Sequence, residues 1–359
     1  LLAALVGTTS CKDDFEVAAP YKNIVVAYGM LNTADTAHYI RVQKAFLDNN
    51  KSAIDMALIA DSNYFKDLTV YMQEYNNDNN AIRRKLDMTL ADMAKEGYPK
   101  DAAGSQGFFQ NPSYAYKLSK QKLLSTFPAD TLNPYYRYKL FIKNNTTGTL
   151  DSSHYFMLVN GARSKNAQNF YIEEFNKANL TLSFSKTQFQ SSYSLFGTTP
   201  RNAKMIEGIV RFHIEELDNA TGKRTRKSAD FTFAKDTKNG ADPFTLKTLN
   251  SSFYGFMYDA FGPAPANTQR FLDSCDIFVY AGSNELYNYF TIAQVQNSSL
   301  IGDQIKPMYS NMDGSDAYGI IASRALAFYR NAAIDEITLD SIKLNPITRP
   351  LNIVGRTAN

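Results

Sequence analysis

The stretch YYRYKLFIK, residues 135–143, decides the fold class. Large side chains that can be buried recur at every second position: Tyr136, Tyr138, Leu140 and Ile142. A period of two residues is that of a β-strand with one face against a core, because successive side chains point to opposite faces. The segment therefore predicts a half-buried strand.

The same period recurs through the first half of the chain. Further strands are predicted at 23–31, 38–46, 68–72, 114–120 and in a segment ending near Val159, with a short helical excursion at 53–58. About seven short strands joined by turns over about 140 residues is the pattern of an immunoglobulin-like β-sandwich. The first half is therefore predicted to adopt that fold.

The second half is also rich in strands, predicted at 180–184, 205–217, 231–233, 269–281 and 318–330. Two short helices are predicted among them. The first has Asp242 as its cap and Pro243 at its first position, followed by an apolar stripe at Leu246, Leu249, Phe253 and Phe256. The second begins after Ser283, with an apolar face at Leu286, Tyr289, Phe290 and Ala293.

The chain has 359 residues, of which 44% are hydrophobic and 20% charged, enough apolar material for two cores. Residues 22–160 are predicted to form the immunoglobulin-like sandwich and residues 161–359 a second β-rich domain with inserted helices. The net charge of +3 is too balanced for a nucleic-acid-binding protein, which needs a clustered basic surface.

Cys11 indicates where the protein resides. It follows the apolar run 1–6 and the small residues 7–10, an order typical of a bacterial lipoprotein signal cut before a cysteine that carries lipid. Residues 1–11 are thus predicted to be the signal remnant with its lipid attachment site, and residues 12–21 a tether. Lys12, Asp13 and Asp14 resemble the export signal of surface-exposed lipoproteins in Bacteroidota, and an ordinary solvated charge cluster is the alternative.

If Cys11 is acylated, the second cysteine, Cys275, has no partner in the chain. It shares strand parity with Ile277 and Val279, so it is predicted to be a core thiol rather than a reactive one.

One segment near the C-terminus carries a family resemblance. The residues 309–321, YSNMDGSDAYGII, resemble a signature of an uncharacterised family of Bacteroidota outer-membrane lipoproteins, a domain of unknown function. The strand at 276–280, the tyrosine-rich helix at 286–290 and the opening run at 25–31 are also similar to that family. The resemblance implies an immunoglobulin-like N-terminal domain, a second β-rich domain and outer-membrane residence, and it brings no catalytic residues.

Three tripeptides match the O-glycosylation pattern of exported Bacteroidota proteins, Asp followed by Ser or Thr and an apolar residue. They place the modification at Thr36, Thr131 and Ser341.

Residues suited to catalysis or to cofactor binding form no recognisable set. The three histidines, His38, His154 and His213, are far apart in the sequence, and His213 is predicted to lie on a polar outer strand face. There is no HExxH, CxxC, Gly-rich phosphate loop or GxSxG. Oxygen-bearing side chains crowd the turn from Asn311 to Asp316; they could bind calcium, or Asn311 and Asp313 could bond to the turn backbone with Gly314 at positive φ. We therefore predict no catalytic, cofactor or metal site.

Three functional hypotheses follow. The first is a non-catalytic, surface-exposed outer-membrane lipoprotein that binds a partner: an outer-membrane β-barrel of the TonB-dependent transporter type, or its nutrient, with a glycan or peptide as the ligand. The alternative is a structural subunit of an outer-membrane export, assembly or gliding machine. The third, an enzyme acting on glycan or peptide, has no motif in its favour.

Overall fold

The computed structural model describes residues 24–45, 53–100, 111–119, 132–166, 168–185, 192–238, 242–298, 309–314 and 316–357. The protein is mostly β, as predicted: an immunoglobulin-like sandwich at the N-terminal end is followed by a second β-rich unit. Cys11 to Asp14 and Thr131 lie outside the described residues.

The strands of the first half are β1 (Val25–Leu31), β2 (Ala37–Lys44), β3 (Leu68–Tyr75), β4 (Ile82–Asp87), β5 (Thr89–Asp92), β6 (Tyr114–Ser119), β7 (Arg137–Asn144), β8 (Leu150–Ser153) and β9 (Phe156–Met157). The remaining strands are β10 (Tyr171–Ile172), β11 (Thr181–Leu182), β12 (Ser192–Thr198), β13 (Met205–Asp218), β14 (Arg224–Thr237), β15 (Pro243–Leu249), β16 (Thr268–Gly282), β17 (Met312–Asp313), β18 (Ala317–Ile334) and β19 (Ile353–Arg356). The helices are α1 (Ala53–Ala57), α2 (Ala60–Asn63), α3 (Asn250–Phe261), α4 (Asn284–Ser298) and α5 (Glu336–Leu344), with 3₁₀ turns at Glu173–Asn176 and Arg349–Leu351.

The first unit is a sandwich of two antiparallel layers. One layer contains β1, β2, β6 and β5, and the other follows the order β17-β8-β7-β3-β4. The alternation that predicted these strands is what fills the space between them. In β7, Tyr138, Leu140 and Ile142 are fully buried against Ile40 and Leu118 of the opposite layer.

A parallel pairing joins this sandwich to the rest of the chain. β1 pairs with β18 from Val25↔Ala317 to Leu31↔Ser323 and with β2 on its other edge. The result is one sheet with the order β14-β13-β16-β18-β1-β2-β6-β5. The first core also takes Met312, Ala317 and Ile321 from the C-terminal part of the chain. The predicted division into domains after Asn160 stays a prediction.

Gly319 permits this parallel pairing. Its φ is +129°, and a Cβ added there would lie 1.8 Å from the carbonyl oxygen of Ala27, its register partner on β1. No side chain fits that approach, so only glycine lets the two strands meet.

The second core lies between the large sheet, the three-stranded sheet β10-β12-β15, and helices α3 and α5. Stacked phenylalanines fill its centre. Phe184 and Phe253 have ring centroids 4.4 Å apart, and Phe212 packs at 5.1 Å from Phe253. Aromatic side chains, in which the chain is rich, thus pack against one another in this core.

The prediction of a helix beginning at Pro243 is wrong for its first seven residues. Pro243–Leu249 is a strand with Phe244, Leu246 and Thr248 buried, paired antiparallel with β12, and helix α3 begins only at Asn250. Leu246 fits both the two-residue period of a strand and the three- to four-residue spacing of a helix. The apolar stripe in the sequence was therefore compatible with either structure. Pairing with β12 decides for the strand. The helix predicted after Ser283 is confirmed as α4.

Among the described residues, no helix has the length and apolar character needed to cross a bilayer.

Candidate functional site

Helix α4 lies on the outer face of the large sheet, opposite the buried cores. Leu286 packs there against Ile320 and Ala322 of β18, the residues that alternate with the core-facing Ile321. The part of this sheet face that α4 does not cover carries exposed side chains. Two apolar clefts result, one on each side of the helix.

The start of α4 is attached to β18 by hydrogen bonds between Ser283 and Ser323. The amide of Ser283 donates to the carbonyl of Ser323 at 2.9 Å, and the amide of Ser323 donates to the Ser283 hydroxyl at 3.2 Å. The amide of Tyr287 donates to the Ser283 carbonyl and closes the first turn. These bonds fix where the helix begins relative to the sheet.

The first cleft has a volume of about 350 Å³ and is lined by tyrosines. Tyr28 of β1, Tyr318 of β18, Tyr289 of α4 and Tyr309 surround it, with Val26 and Ile292 among the aliphatic residues. Burial and the neighbouring Tyr289 raise the pKa of Tyr28, and burial raises the pKa of Tyr309. Both hydroxyls are therefore protonated at neutral pH, and that of Tyr309 is hydrogen-bonded to the Asn288 side chain.

The second cleft lies on the other side of α4 and has a volume of about 260 Å³. Its lining includes the apolar side chains of Met30, Met205, Leu286 and Phe290, and Arg324 also lines it. Tyr289 and Phe290 connect the two clefts across the helix, with ring centroids 5.8 Å apart. We call the two clefts and these two rings the α4 face.

The α4 face is apolar although it is accessible. The exposed fraction is 45% for Tyr28, 40% for Tyr289 and 43% for Phe290. Adjacent exposed aromatic side chains around a concave apolar surface are typical of interaction and ligand sites. The sequence predicts the apolar face of this helix but not its exposure, because the exposure depends on strands far away in the chain.

A polar groove of about 900 Å³ lies elsewhere, beside the start of α5. Its charges pair with one another: Arg226 with Asp273 at 2.9 Å, and Arg356 with Glu336 at 2.8 Å. Asp335 caps α5 by accepting from the amide of Thr338. These groups are already engaged, which makes the groove a poorer candidate than the α4 face.

His213 is predicted to lie on a polar outer face of its strand, and it does lie on the same face of β13 as Arg211. Its side chain is nevertheless buried there. Its Nδ1 is 2.6 Å from the Ser228 hydroxyl, and its Nε2 is 3.5 Å from Asp276. Burial and Arg226 lower the pKa of His213. Bonds from Arg330 and the Asn331 amide outweigh burial and lower the pKa of Asp276, so a neutral histidine faces a carboxylate.

These three side chains have the composition of a catalytic triad but not its setting. Ser228, His213 and Asp276 lie on three neighbouring strands of a sheet, and Ser228 is exposed on its surface. The nearby guanidinium groups of Arg211 and Arg330 are bound to Asp230 and Asp276. A developing oxyanion would find both already paired, so the arrangement is best explained as a hydrogen-bonded surface network.

The other predicted residues are dispersed. Cys275 is fully buried and burial raises the pKa of its thiol, which confirms a core thiol. Thr36 is exposed in the turn between β1 and β2, whereas the half-buried Ser341 donates its hydroxyl to the Ile337 carbonyl within α5. Glycosylation at either residue stays a prediction.

The Asn311 side chain spans to β18 rather than bonding within its own turn. It donates to the Ile321 carbonyl at 2.8 Å and accepts from the Ile321 amide at 2.9 Å. Asp313 lies 3.4 Å from Lys139, and Gly314 has the predicted positive φ, +110°. In the part of the chain that is described, no group of three or more His, Cys, Asp or Glu residues could hold a metal ion.

No family model matches this sequence, and no curated protein matches it. Solved structures with some similarity include the calcium binding domain CBD12 of CALX1.1, with a TM-score of 0.17 and 8% identity over 87% of this chain and 99% of that one. CBD12 from CALX1.2 has a TM-score of 0.14 and 8% identity over 85% of this chain and 100% of the other. Similarity this low assigns neither fold nor function.

Proposed function

We propose that this protein is a non-catalytic binding lipoprotein, anchored in the outer membrane through Cys11 and exposed at the cell surface. Its partner is an outer-membrane β-barrel protein of the TonB-dependent transporter type, or the nutrient that such a transporter carries. The lipoprotein signal and the family resemblance support the location. The α4 face supports binding, and it is the observation that carries the proposal.

The α4 face is suited to a protein partner by its composition. Interfaces are enriched in tyrosine, phenylalanine, methionine and arginine, and depleted of lysine and aspartate, relative to the remaining surface. The two clefts present Tyr28, Met30, Tyr289 and Phe290 together with Arg324. Tyrosine and phenylalanine bury large areas at low entropic cost, so they act as anchors when a partner covers them.

Photo-crosslinking in living cells tests this function. A photoreactive phenylalanine analogue replaces Tyr289 at the centre of the α4 face, and in a matched control it replaces Tyr98, which is 61% exposed on the first sandwich. We expect a covalent adduct with an outer-membrane β-barrel protein from position 289 and none from position 98. Equal adducts from both positions, or none from position 289, would contradict the proposal.

The identity of the adduct separates the alternatives. A transporter supports nutrient capture, whereas a component of an export, assembly or gliding machine supports the structural-subunit hypothesis. The anchor has its own test, since Cys11→Ala is expected to move the protein from the envelope fraction to the soluble fraction.

A further inference from the structure

We propose that the second cleft of the α4 face binds an apolar peptide segment of the partner that carries an acidic side chain, and that this carboxylate pairs with Arg324. The inference rests on the proposed function, because it names the chemistry of the partner at the same face. It adds which chemical groups of the partner the second cleft binds.

The apolar part of the cleft is adaptable. Met30 and Met205 contribute flexible thioether side chains, and Phe290 is 43% exposed beside them. Methionine adjusts to differently shaped apolar side chains, which is why it is common at surfaces that bind peptides. A volume of about 260 Å³ suits one or two aliphatic or aromatic side chains rather than a large ligand.

The floor of the cleft is closed by a tight contact at Gly282. A Cβ added there would lie 2.9 Å from Leu286 Cδ2 and 2.9 Å from Met205 Cγ. Gly282 pairs in register with Arg324 on β18, so the apolar floor and the guanidinium occupy adjacent strands. The charge is therefore held beside the apolar surface by strand pairing, not by a loop.

The other residues that line the cleft do not neutralise the positive charge of Arg324. It is exposed, and within the described ranges it forms no ion pair shorter than 4 Å. The acidic side chain of the cleft, Glu207, is bound to Lys235 at 2.8 Å. Asp35 also faces Arg324: burial raises the pKa of Asp35, and Arg324 opposes that shift from beyond ion-pair distance.

A partner that covers the cleft therefore also covers this guanidinium group. Covering an unpaired charge with apolar groups removes its water and costs free energy, whereas a carboxylate satisfies it with charge-assisted hydrogen bonds. Charge complementarity therefore favours an acidic residue next to the apolar side chains of the partner. A purely apolar or a basic segment is disfavoured by the same argument.

A random-sequence peptide library displayed on phage tests this without knowledge of the partner. The full chain, the Arg324→Gln variant and a Phe290→Ala variant are each panned. Arg349→Gln serves as the control for net charge, since Arg349 is an exposed arginine in a distant 3₁₀ turn. We expect the wild type and Arg349→Gln to select peptides with apolar residues beside Asp or Glu.

The selected acidic peptide is then measured against its own Asp→Asn or Glu→Gln version. We expect Arg324→Gln to weaken binding of the acidic peptide about tenfold and to leave the amide version unchanged. Peptides that need Phe290 but show no acidic preference would overturn this inference and leave the proposed function intact. Selection of no peptide that depends on Phe290 would overturn this inference, and crosslinking from position 289 would still decide the proposed function on its own.

Discussion

The hydroxyl of Ser323 accepts a hydrogen bond from the backbone amide of Val159, 164 residues earlier in the chain, at 2.9 Å. The same hydroxyl donates to the carbonyl of Leu31 at 2.9 Å, and Ser323 is fully buried. The Ser323 side chain thus links three parts of the protein. They are the end of β1, the segment at Val159 that leads from the first core to the second, and β18, against which α4 packs.

Removing this hydroxyl should destabilise the fold. Ser323→Ala leaves the amide of Val159 and the carbonyl of Leu31 without their partner in a buried position, which costs about 1–3 kcal/mol per unsatisfied group. Urea unfolding measures the change. Ser252→Ala, at an exposed position in the first turn of α3, is the control and should change the free energy of unfolding by less than about 0.5 kcal/mol. Equal values for the two variants would show that the Ser323 bonds contribute nothing.

Substitution of Gly319 should disrupt the pairing of β1 with β18. Gly319→Ala would place a methyl group 1.8 Å from the Ala27 carbonyl oxygen at a φ of +129°, so we expect destabilisation of more than about 4 kcal/mol or failure to fold. Gly255→Ala is the matched control, because Gly255 lies within helix α3 and, apart from its chain neighbours and the backbone of its own helix, no atom lies within 4 Å of the added Cβ. That variant should be more stable by up to about 1 kcal/mol, since alanine is the better helix former. Thermal unfolding of both variants provides the comparison.

The stability of the protein should fall in mild acid because of His38. Its side chain is buried on β2, and burial lowers its pKa to about 4. As the pH falls below about 6.5, the unfolded chain binds a proton that the folded protein does not take up until about pH 4. The contribution is complete above pH 6.5 and is lost as the pH falls to 4; at ~1.4 kcal/mol per pKa unit it amounts to about 3 kcal/mol.

Denaturant unfolding of the wild type and of His38→Leu, at pH 7.5 and pH 4.5, tests this assignment. We expect His38→Leu to lose less stability between the two pH values than the wild type loses. If both lose the same amount, His38 is not the group responsible.

Ser228 should be unreactive toward serine-hydrolase reagents. A fluorophosphonate labels serines whose hydroxyl is activated by a histidine beside an oxyanion site, and the cations near Ser228 are already paired. Intact-mass analysis should show no adduct on the wild type, as for Ser228→Ala. An adduct that maps to Ser228 and disappears in His213→Gln would instead favour the enzymatic hypothesis.

The local structure of this protein was predictable from its sequence wherever one periodicity dominated. The alternation at Tyr138, Leu140 and Ile142 predicted β7, and the cap at Ser283 predicted the start of α4. Cys275 was predictable as a core thiol for the same reason. These features depend on neighbours within a few residues, which the sequence displays directly.

Tertiary structure alone decided the rest. Pro243–Leu249 became a strand because β12 offered it a partner, and β1 joined β18 because Gly319 admits the Ala27 carbonyl. The α4 face combines side chains from β1, β13, β18 and α4, whose apolar residues are identical in type to core residues. Only burial distinguishes the apolar residues of the α4 face from those of the core. Burial is set by contacts between segments nearly 300 residues apart, and no local sequence pattern encodes those contacts.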